Sequence, residues 1–284
     1  MLTRSAKKSI GAAVLAGLFA AACSSAGANL MKTAAAESRQ ALAAGDFQKA
    51  IDAYKVPFKR DPHRKGLAAA YARAVEEIYL VAGHARGRQD FALAGRIYRV
   101  LLDNAPDLKN IAGGMTFNKS DLEAGLRDCH IALVDAQARQ EMKAGSLVKA
   151  LGFYSPLFKE YPRDSGLSSR YLRIVQDIEA LGDKARADGN FAQAGLVYAL
   201  LLENFLALEE RQAAPPLTRA ELAAGLALCR ESLTKTGLAE YRKGNLAKAI
   251  AVWESLLAFD PNNAEIKKAV ETAKTQLNEI LKKK

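Results

Sequence analysis

The chain has 284 residues, of which 50% are apolar and 25% are charged, and its formal net charge is +10. This balance provides a large core and excludes both an intrinsically disordered chain and a polytopic membrane protein. Three cysteines and three histidines exclude a disulfide scaffold and most multi-histidine metal sites. The sequence is rich in alanine and leucine and sparse in glycine and proline, which favours helix over sheet.

Residues 1–22 have the organisation of a secretory signal peptide. Three basic residues open the segment, and residues 10–22 form an apolar run that is too short to span a bilayer comfortably. Three alanines then precede Cys23, and small side chains are what the cleft of a signal peptidase admits. One interpretation is an ordinary secretory signal in which the cysteine is incidental.

The segment that ends at Cys23 also resembles a bacterial lipobox, although Ala20 stands where leucine is commonest. The resemblance implies cleavage before Cys23, a diacylglyceryl thioether on its sulfur and an acyl amide (typically palmitate) on the new amino terminus. Three acyl chains hold a protein to a membrane almost permanently, since each buried methylene contributes about 0.8 kcal/mol. Ser24 in place of aspartate resembles the sorting signal for the outer membrane. We therefore expect a lipoprotein of the outer membrane that faces the periplasm.

Removal of residues 1–22 takes away three basic residues and no acidic one, which lowers the formal net charge from +10 to +7. The remaining charges are interspersed and suit an anionic surface or an acidic partner. No DNA- or RNA-binding signature accompanies them, so we expect no nucleic-acid partner. The next segment, residues 23–36, is expected to be the lipidated cysteine and a short tether.

An internal duplication is the strongest pattern in the chain. Residues 44–133 align with residues 144–233 without a gap, and roughly a third of the aligned positions are identical. Long apolar stretches with helical spacing, 67–86 and 167–186, occupy the same place in both halves. The duplication therefore predicts two copies of one helical unit, over residues 37–136 and 137–236.

A shorter frame recurs five times, with a turn, an alanine, an aromatic residue four positions later and, in most copies, a proline after the second helix. Alanine and aromatic lie on one helix face, where two helices cross closely. The alanine–aromatic pairs are Ala50–Tyr54, Ala94–Tyr98, Ala150–Tyr154, Ala194–Tyr198 and Ala249–Trp253.

This frame resembles the tetratricopeptide repeat (TPR), best in the fifth copy, where Gly237, Gly244 and Pro261 are all in place. The resemblance implies an all-α, right-handed superhelical solenoid of about five TPR-like helical hairpins. The copies depart from the family because their spacing alternates between about 44 and about 55 residues rather than 34. The fifth hairpin and a C-terminal capping helix are expected in residues 237–284, with the capping helix over 264–284.

Local signals refine the helix boundaries. Ser120 and Thr218 each precede a glutamate by three residues, which predicts capping boxes at two helix starts. Pro57 and Pro156 are expected to kink or shorten the helices that contain them, and the proline at the end of each copy, such as Pro106, is expected to stop a helix.

No catalytic set emerges from the sequence. The glycine-rich segment 113–120 lacks the glycine before its lysine and has no preceding strand, so it is not a phosphate-binding loop. Cys129 and Cys229 occupy equivalent positions on predicted helices, which favours buried core residues over a disulfide or a metal site. We therefore expect no enzymatic activity, no cofactor and no metal.

The remaining candidate is a binding surface on the first helices of the hairpins, which line the concave face in tetratricopeptide arrays. Arginines there would grip carboxylates of a periplasmic protein or peptide through paired N–H donors. The competing interpretation is a set of solvated charges. The residues that the repeat frame places on this surface are Arg39, Tyr79, Arg86, Arg139, Lys143, Arg186, Tyr241 and Arg242.

The function expected from these patterns is a non-catalytic scaffold for protein–protein interaction in the cell envelope. An adaptor that regulates a peptidoglycan synthase or hydrolase is one alternative. A periplasmic carrier of a small ligand, or an enzyme, is another, and it would need a closed pocket with convergent polar groups.

Overall fold

A computed structural model describes residues 25–205 and 218–282, and within them every regular element is helical. The prediction of an all-α fold is therefore confirmed. The α-helices are α1 Ser25–Ala43, α2 Phe47–Arg60, α3 Leu67–Gly87, α4 Phe91–Leu108, α5 Lys119–Lys143, α6 Leu147–Gly152, α7 Tyr154–Glu160, α8 Ser165–Ala187, α9 Phe191–Glu203, α10 Arg219–Arg242, α11 Leu246–Leu257 and α12 Ala264–Lys282. A short 3-10 helix, Lys109–Gly114, follows α4.

The chain forms two compact units, Met1–Leu133 (unit 1) and Val134–Lys284 (unit 2), and the division falls inside α5. In unit 1, α1 packs on α2, α2 on α3 and α3 on α4. In unit 2, α8 packs on α9, α9 on α10, α10 on α11 and α11 on α12. Helices that follow one another in sequence thus pack as neighbours, as a helical repeat requires.

Four of the five hairpin turns are built in the same way. Gly45, Gly145, Gly189 and Gly244 have φ between 74° and 80°, which lets the chain reverse directly after the first helix. In three of the five turns the next residue caps the second helix. The backbone N–H three positions on donates to the side chain of Asp46, Asp90 or Asn190, at 3.0, 3.0 and 3.2 Å.

All five frame alanines are fully buried, with 0% relative exposure, and each aromatic partner is at least 93% buried. The duplication is equally visible in the core, because residues 100 positions apart are buried together. Such pairs include Phe58/Phe158, Leu67/Leu167, Tyr71/Tyr171, Val75/Val175, Ile78/Ile178, Leu101/Leu201 and Cys129/Cys229.

Glycines on the first helices leave room for the frame aromatics. A β-carbon at Gly125 would lie 2.7 Å from the Tyr98 ring, and one at Gly237 would lie 2.2 Å from Nε1 of Trp253. Real β-carbons do not make such contacts, so the aromatic rings pack directly against helix backbone at these two positions. The close approach of the helices depends on the missing side chains.

The predicted tether is helical over 25–36, because α1 begins at Ser25. Alanine has the highest helix propensity of all residues, and Ala34 is part of the unit 1 core. Ala34 and Ala35 pack in the unit 1 core, so this part of the segment is not a free spacer.

One of the two predicted capping boxes is confirmed. Thr218 and Glu221 cap α10 reciprocally. The cap of α5 lies two residues earlier than expected: Asn118 Oδ1 accepts from the N–H of Ser120 at 2.7 Å, and Asp121 accepts from the N–H of Asn118 at 2.8 Å. Asn118 Oδ1 also accepts from the N–H of Asp121 at 3.2 Å, so one side-chain oxygen satisfies two backbone donors at this helix start.

The prolines act differently at different places. The chain is interrupted at Phe153, between α6 and α7, since Pro156 has no N–H to donate to the preceding turn. In contrast, α2 runs through Pro57, and α4 runs through Pro106 to Leu108, so Pro106 does not stop the helix as expected. Burial of Leu108 in the unit 1 core stabilises this last turn against the lost hydrogen bond.

Candidate functional site

The arginines of the predicted binding surface are held by carboxylates of the chain itself. Arg139 donates to Asp135 at 3.1 Å and to Asp177 of the next long helix at 3.0 Å. Arg86 on α3 pairs with Asp128 on α5 at 3.5 Å, with about half of each side chain exposed. A partner carboxylate would therefore compete with an existing ion pair at both positions.

Asp135 is the centre of a polar cluster in unit 2. Its carboxylate is 89% buried and accepts from the hydroxyl of Tyr154 at 2.6 Å, from Nε of Arg139 and from Nη1 of Arg170 at 3.4 Å. Burial, followed by the hydrogen bond to Asp135, raises the pKa of Tyr154. The cluster ties α5 to α7 and α8. The residue 100 positions before Asp135 is Ala35, so the central carboxylate has no counterpart there.

Arg186 differs from its counterpart Arg86. It pairs within its own helix with Asp183 at 3.2 Å, and its guanidinium lies 5.9 Å from the centre of the Tyr198 ring. The hydroxyl of Tyr198 donates to Asp183 at 2.7 Å, and burial together with this bond raises the pKa of Tyr198. The second unit thus replaces a pairing between two helices by a cluster around one aromatic ring.

The aromatic residues of the predicted surface are half-buried. Tyr79 stacks on Phe117 with ring centres 4.3 Å apart and meets the edge of Tyr98 at 6.1 Å. Tyr241 lies 5.8 Å from Trp253, and its hydroxyl donates to Gln276 of α12 at 2.9 Å. Both rings belong to packing between helices.

The three remaining predicted residues are exposed cations: Arg39 on α1, Lys143 at the end of α5 and Arg242 at the end of α10. The Nε of Arg39 also donates to the carbonyl of Ala35 at 3.1 Å. The eight residues are divided between the units, so each unit carries only part of the predicted surface. Cys23, the predicted lipidation site, lies outside the described residues.

Unit 1 contains a cleft that the sequence analysis did not single out. Its volume is about 210 Å³. Asp107 on α4 bridges two ammonium groups of α2, at 2.8 Å from Lys55 and 2.8 Å from Lys59. The hydrogen bond from Lys55, followed by that from Lys59, lowers the pKa of Asp107. The residues that line the cleft are Lys55, Phe58, Lys59, Pro62, Tyr71, Asp107 and Asn110.

The ring of Tyr71 forms part of the wall of this cleft. The residue is fully buried, and desolvation raises the pKa of its hydroxyl. Nearby, Asn104 connects α2 to α4, accepting from Lys55 at 2.7 Å and donating to Gln48 at 2.8 Å. The spacing of Lys55 and Lys59 on one helix face was the available signal. The partner Asp107 lies 52 residues further on, and only the fold brings the three together.

Unit 2 has a cleft of about 200 Å³ whose lining shares only two positions with that of unit 1, Ser155 and Tyr171, which correspond to Lys55 and Tyr71. Val148 and Ser155 stand where unit 1 has Gln48 and Lys55. Val148 is 71% exposed, which makes it the most exposed large apolar residue of the described chain. The lining residues are Val148, Leu151, Gly152, Tyr154, Ser155, Tyr171, Leu200 and Asn204. The polar bridge of the first copy is thus lost in the second.

Cys129 and Cys229 are buried and free, as predicted, and burial raises the pKa of both thiols. Cβ of Cys129 lies against Gly95, where α4 and α5 cross. The described residues contain no group of three or more histidine, cysteine, aspartate or glutamate side chains placed to hold a metal ion. Over residues 25–205 and 218–282, none of the helices combines the length and apolar character needed to cross a bilayer.

Comparison with known proteins gives no relative from which a role can be transferred. No protein-family model, no curated protein and no solved structure matches this chain.

Proposed function

We propose that the chain is a lipid-anchored scaffold of the bacterial cell envelope, whose TPR-like hairpins continue as a right-handed solenoid and bind a periplasmic protein or peptide. The support is the recurrence of one buried frame. Five alanine–aromatic pairs occupy the same place in five helix pairs, and they are buried in every copy. Hairpins that bury their faces only against neighbours form extended arrays, and such arrays present long surfaces to partners.

The second support is the lipobox-like segment before Cys23, with Ser24 favouring the outer membrane as the destination. In this proposal the mature chain begins at Cys23, and α1 starts two residues later. The acyl chains confine the scaffold to a surface, which raises its effective concentration toward partners there.

Lipidation is tested by the full chain in a bacterial host that is fed a clickable palmitate analogue. The wild-type chain is expected to incorporate label and to accumulate as a longer precursor when lipoprotein signal peptidase is inhibited. Cys23→Ala removes the sulfur that carries the diacylglyceryl group, so label is lost, whereas Ser24→Ala is the matched control that keeps it. Equal labelling of the wild type and Cys23→Ala refutes the anchor.

The binding surface is tested by photo-crosslinking residues introduced one at a time in living cells. Arg86 and Arg242 represent the first helices of hairpins, and Arg99 and Lys248 are exposed matched controls on second helices. The proposal expects one dominant protein adduct from the first set and none from the second. A peptidoglycan synthase or hydrolase in that adduct identifies the adaptor role. Equal yields from both sets contradict the assignment of the surface.

A further inference from the structure

One end of unit 1 is built from three segments that the fold brings together. They are the last turn of α2, the loop 61–66 and the start of the 3-10 helix, since Lys59, Pro62 and Asn110 line one cleft. The side chain of Met31 on α1 lies against the same loop, because a β-carbon at Gly66 would be 3.9 Å from its sulfur. The beginning of α1 therefore lies at this end.

This end carries a concentrated positive charge. Residues 59–65 read Lys-Arg-Asp-Pro-His-Arg-Lys, with four cations and a single carboxylate. The duplicated loop, residues 159–165, reads Lys-Glu-Tyr-Pro-Arg-Asp-Ser, with two cations and two carboxylates. The two loops descend from one sequence and have the same position in the repeat, yet only the loop of the first unit is strongly basic.

Part of this charge is not used by the fold. Lys59 and Arg64 pair with Asp107 and Asp61, at 2.8 and 3.1 Å. Arg60 and Lys65 are exposed, and neither has an ion pair with any of the described residues. Unpaired, exposed cations on a short loop stabilise the fold very little, so their accumulation at one end indicates a surface that meets negative charge outside the chain.

The position of the loop indicates which negatively charged surface it meets. From Ser25 to Met31 is six residues of helix, or about 9 Å along the helix axis. Two residues of chain span at most about 7 Å, so a lipid on Cys23 enters the membrane within a short distance of the basic end. Clusters of lysine and arginine beside a membrane anchor bind anionic headgroups, and each cation contributes a few-fold in binding.

We infer that the basic end of unit 1, formed by residues 59–65 beside the start of α1, is a membrane-docking surface for anionic phospholipid headgroups. The inference rests on the proposed anchor at Cys23. The acyl chains hold the protein to the bilayer, and the basic end fixes which end of unit 1 lies on the surface.

The experiment uses the lipidated full chain in vesicles of phosphatidylcholine with or without about 30 mol% phosphatidylglycerol. A fluorophore on His63→Cys reports energy transfer to a headgroup-labelled lipid, and the native Cys129 and Cys229 are buried and do not compete for the label. Transfer is expected to rise with phosphatidylglycerol and to fall back in about 0.5 M salt, because screening weakens exposed charge pairs.

Arg60→Glu with Lys65→Glu is expected to lower the ratio of docked to undocked protein by roughly 25-fold or more, from about fivefold per cation. The matched control is Lys159→Glu with Arg163→Glu, which changes the net charge equally in the duplicated loop and is expected to keep the response to phosphatidylglycerol. Helicity by circular dichroism checks that all four substitutions leave the fold intact.

Transfer that does not depend on phosphatidylglycerol, or an equal loss in both double variants, overturns the docking surface. Failure of the anchor has a different signature, since protein without acyl chains leaves the vesicles in high salt altogether. Protein that stays on the vesicles in high salt but shows no lipid-dependent transfer retains the anchor and refutes the docking surface alone.

Discussion

At the turn between α3 and α4, Gln89 has the backbone conformation that glycine has at the other four hairpin turns, with φ of 62°. An L-residue with a side chain in the left-handed region carries a cost of about 1–2 kcal/mol. The side chain is exposed. The conformation is imposed by the hairpin, whose turn has the same hydrogen bond from residue 90 to residue 85 that residues 190 and 185 form in the second copy.

Gln89→Gly is therefore expected to stabilise the protein by about 0.5–1 kcal/mol, since the relief of strain exceeds the added entropy of the unfolded chain. The reverse change at the equivalent turn, Gly189→Gln, is the matched control and is expected to destabilise by a similar amount. Urea unfolding measures both. A lower midpoint for Gln89→Gly would contradict the role assigned to the turn.

A second residue-scale feature is the carboxylate of Asp107 between two lysines. Its folded-state pKa is lowered by hydrogen bonds from Lys55 and then Lys59. The ionised group contributes stability that is fully present above its unfolded pKa of about 4 and is lost as the pH falls through the lower folded value.

Asp107→Asn should accordingly unfold at lower urea concentration than the wild type at pH 6, and the two midpoints should converge as the pH drops below about 4. Asp103→Asn is the control, because Asp103 lies one turn away on α4, is exposed and has no ion pair among the described residues. A difference that persists unchanged to the lowest pH would show that the carboxylate charge is not its cause.

At the scale of elements, the helices approach closely where glycine meets an aromatic ring. The rings of Tyr98 and Tyr198 lie against Gly125 on α5 and Gly225 on α10, and the ring of Phe259 lies against Gly195 on α9. These positions are conformationally ordinary helix, so glycine is present for space and not for backbone freedom. The interhelical distance is thus set by a missing β-carbon.

Gly125→Ala is expected to destabilise by about 1–3 kcal/mol through overpacking, although alanine is the better helix former. The control is Gly83→Ala on α3, where a new β-carbon meets nothing within 4 Å. That change is expected to stabilise by roughly 0.5–1 kcal/mol through helix propensity alone. Thermal melts measure both variants. Melting temperatures that shift in the same direction would refute the steric account.

At the scale of the whole molecule, nearly all packing within each unit is between helices adjacent in sequence. Stability in such chains is a sum of local terms, and disturbance decays with distance along the array. The ion pairs follow the same rule, since Arg86 reaches the next long helix and Arg139 reaches the one after.

Ala50→Trp tests this locality, because Ala50 is fully buried where α2 crosses its neighbours. Overpacking is expected to cost about 1–3 kcal/mol and to raise amide hydrogen exchange in α1 to α3, while α10 to α12 keep their wild-type protection. Ala150→Trp is the matched change in the second copy, and it should raise exchange around α6 to α8. Uniform loss of protection across the chain would indicate a single cooperative core.

Periodicity and duplication determined much of this protein from the sequence alone: the all-helical class, the long helices α3 and α8, the buried alanines of the frame and the burial of Cys129 and Cys229. Local patterns suffice there because each hairpin is encoded in one contiguous stretch of the chain. The start of α1 at Ser25 and the cap at Asn118 were missed because alternatives of similar local energy exist, and packing chooses between them.

Only the tertiary structure decided which charged side chains are free to bind something outside the chain. The sequence suggests that Arg86, Arg139 and Arg186 are free to bind a partner. In the structure each is paired with a carboxylate of the chain, at 3.5, 3.0 and 3.2 Å. Arg60 and Lys65 are not distinguished in the sequence, yet they lie beside the start of α1 and have no ion pair with any residue that the structure describes. Coulomb interactions depend on distances in space. Asp128 and Asp177, which pair with Arg86 and Arg139, lie on other helices far along the chain, whereas hydrophobic periodicity is a property of a single helix.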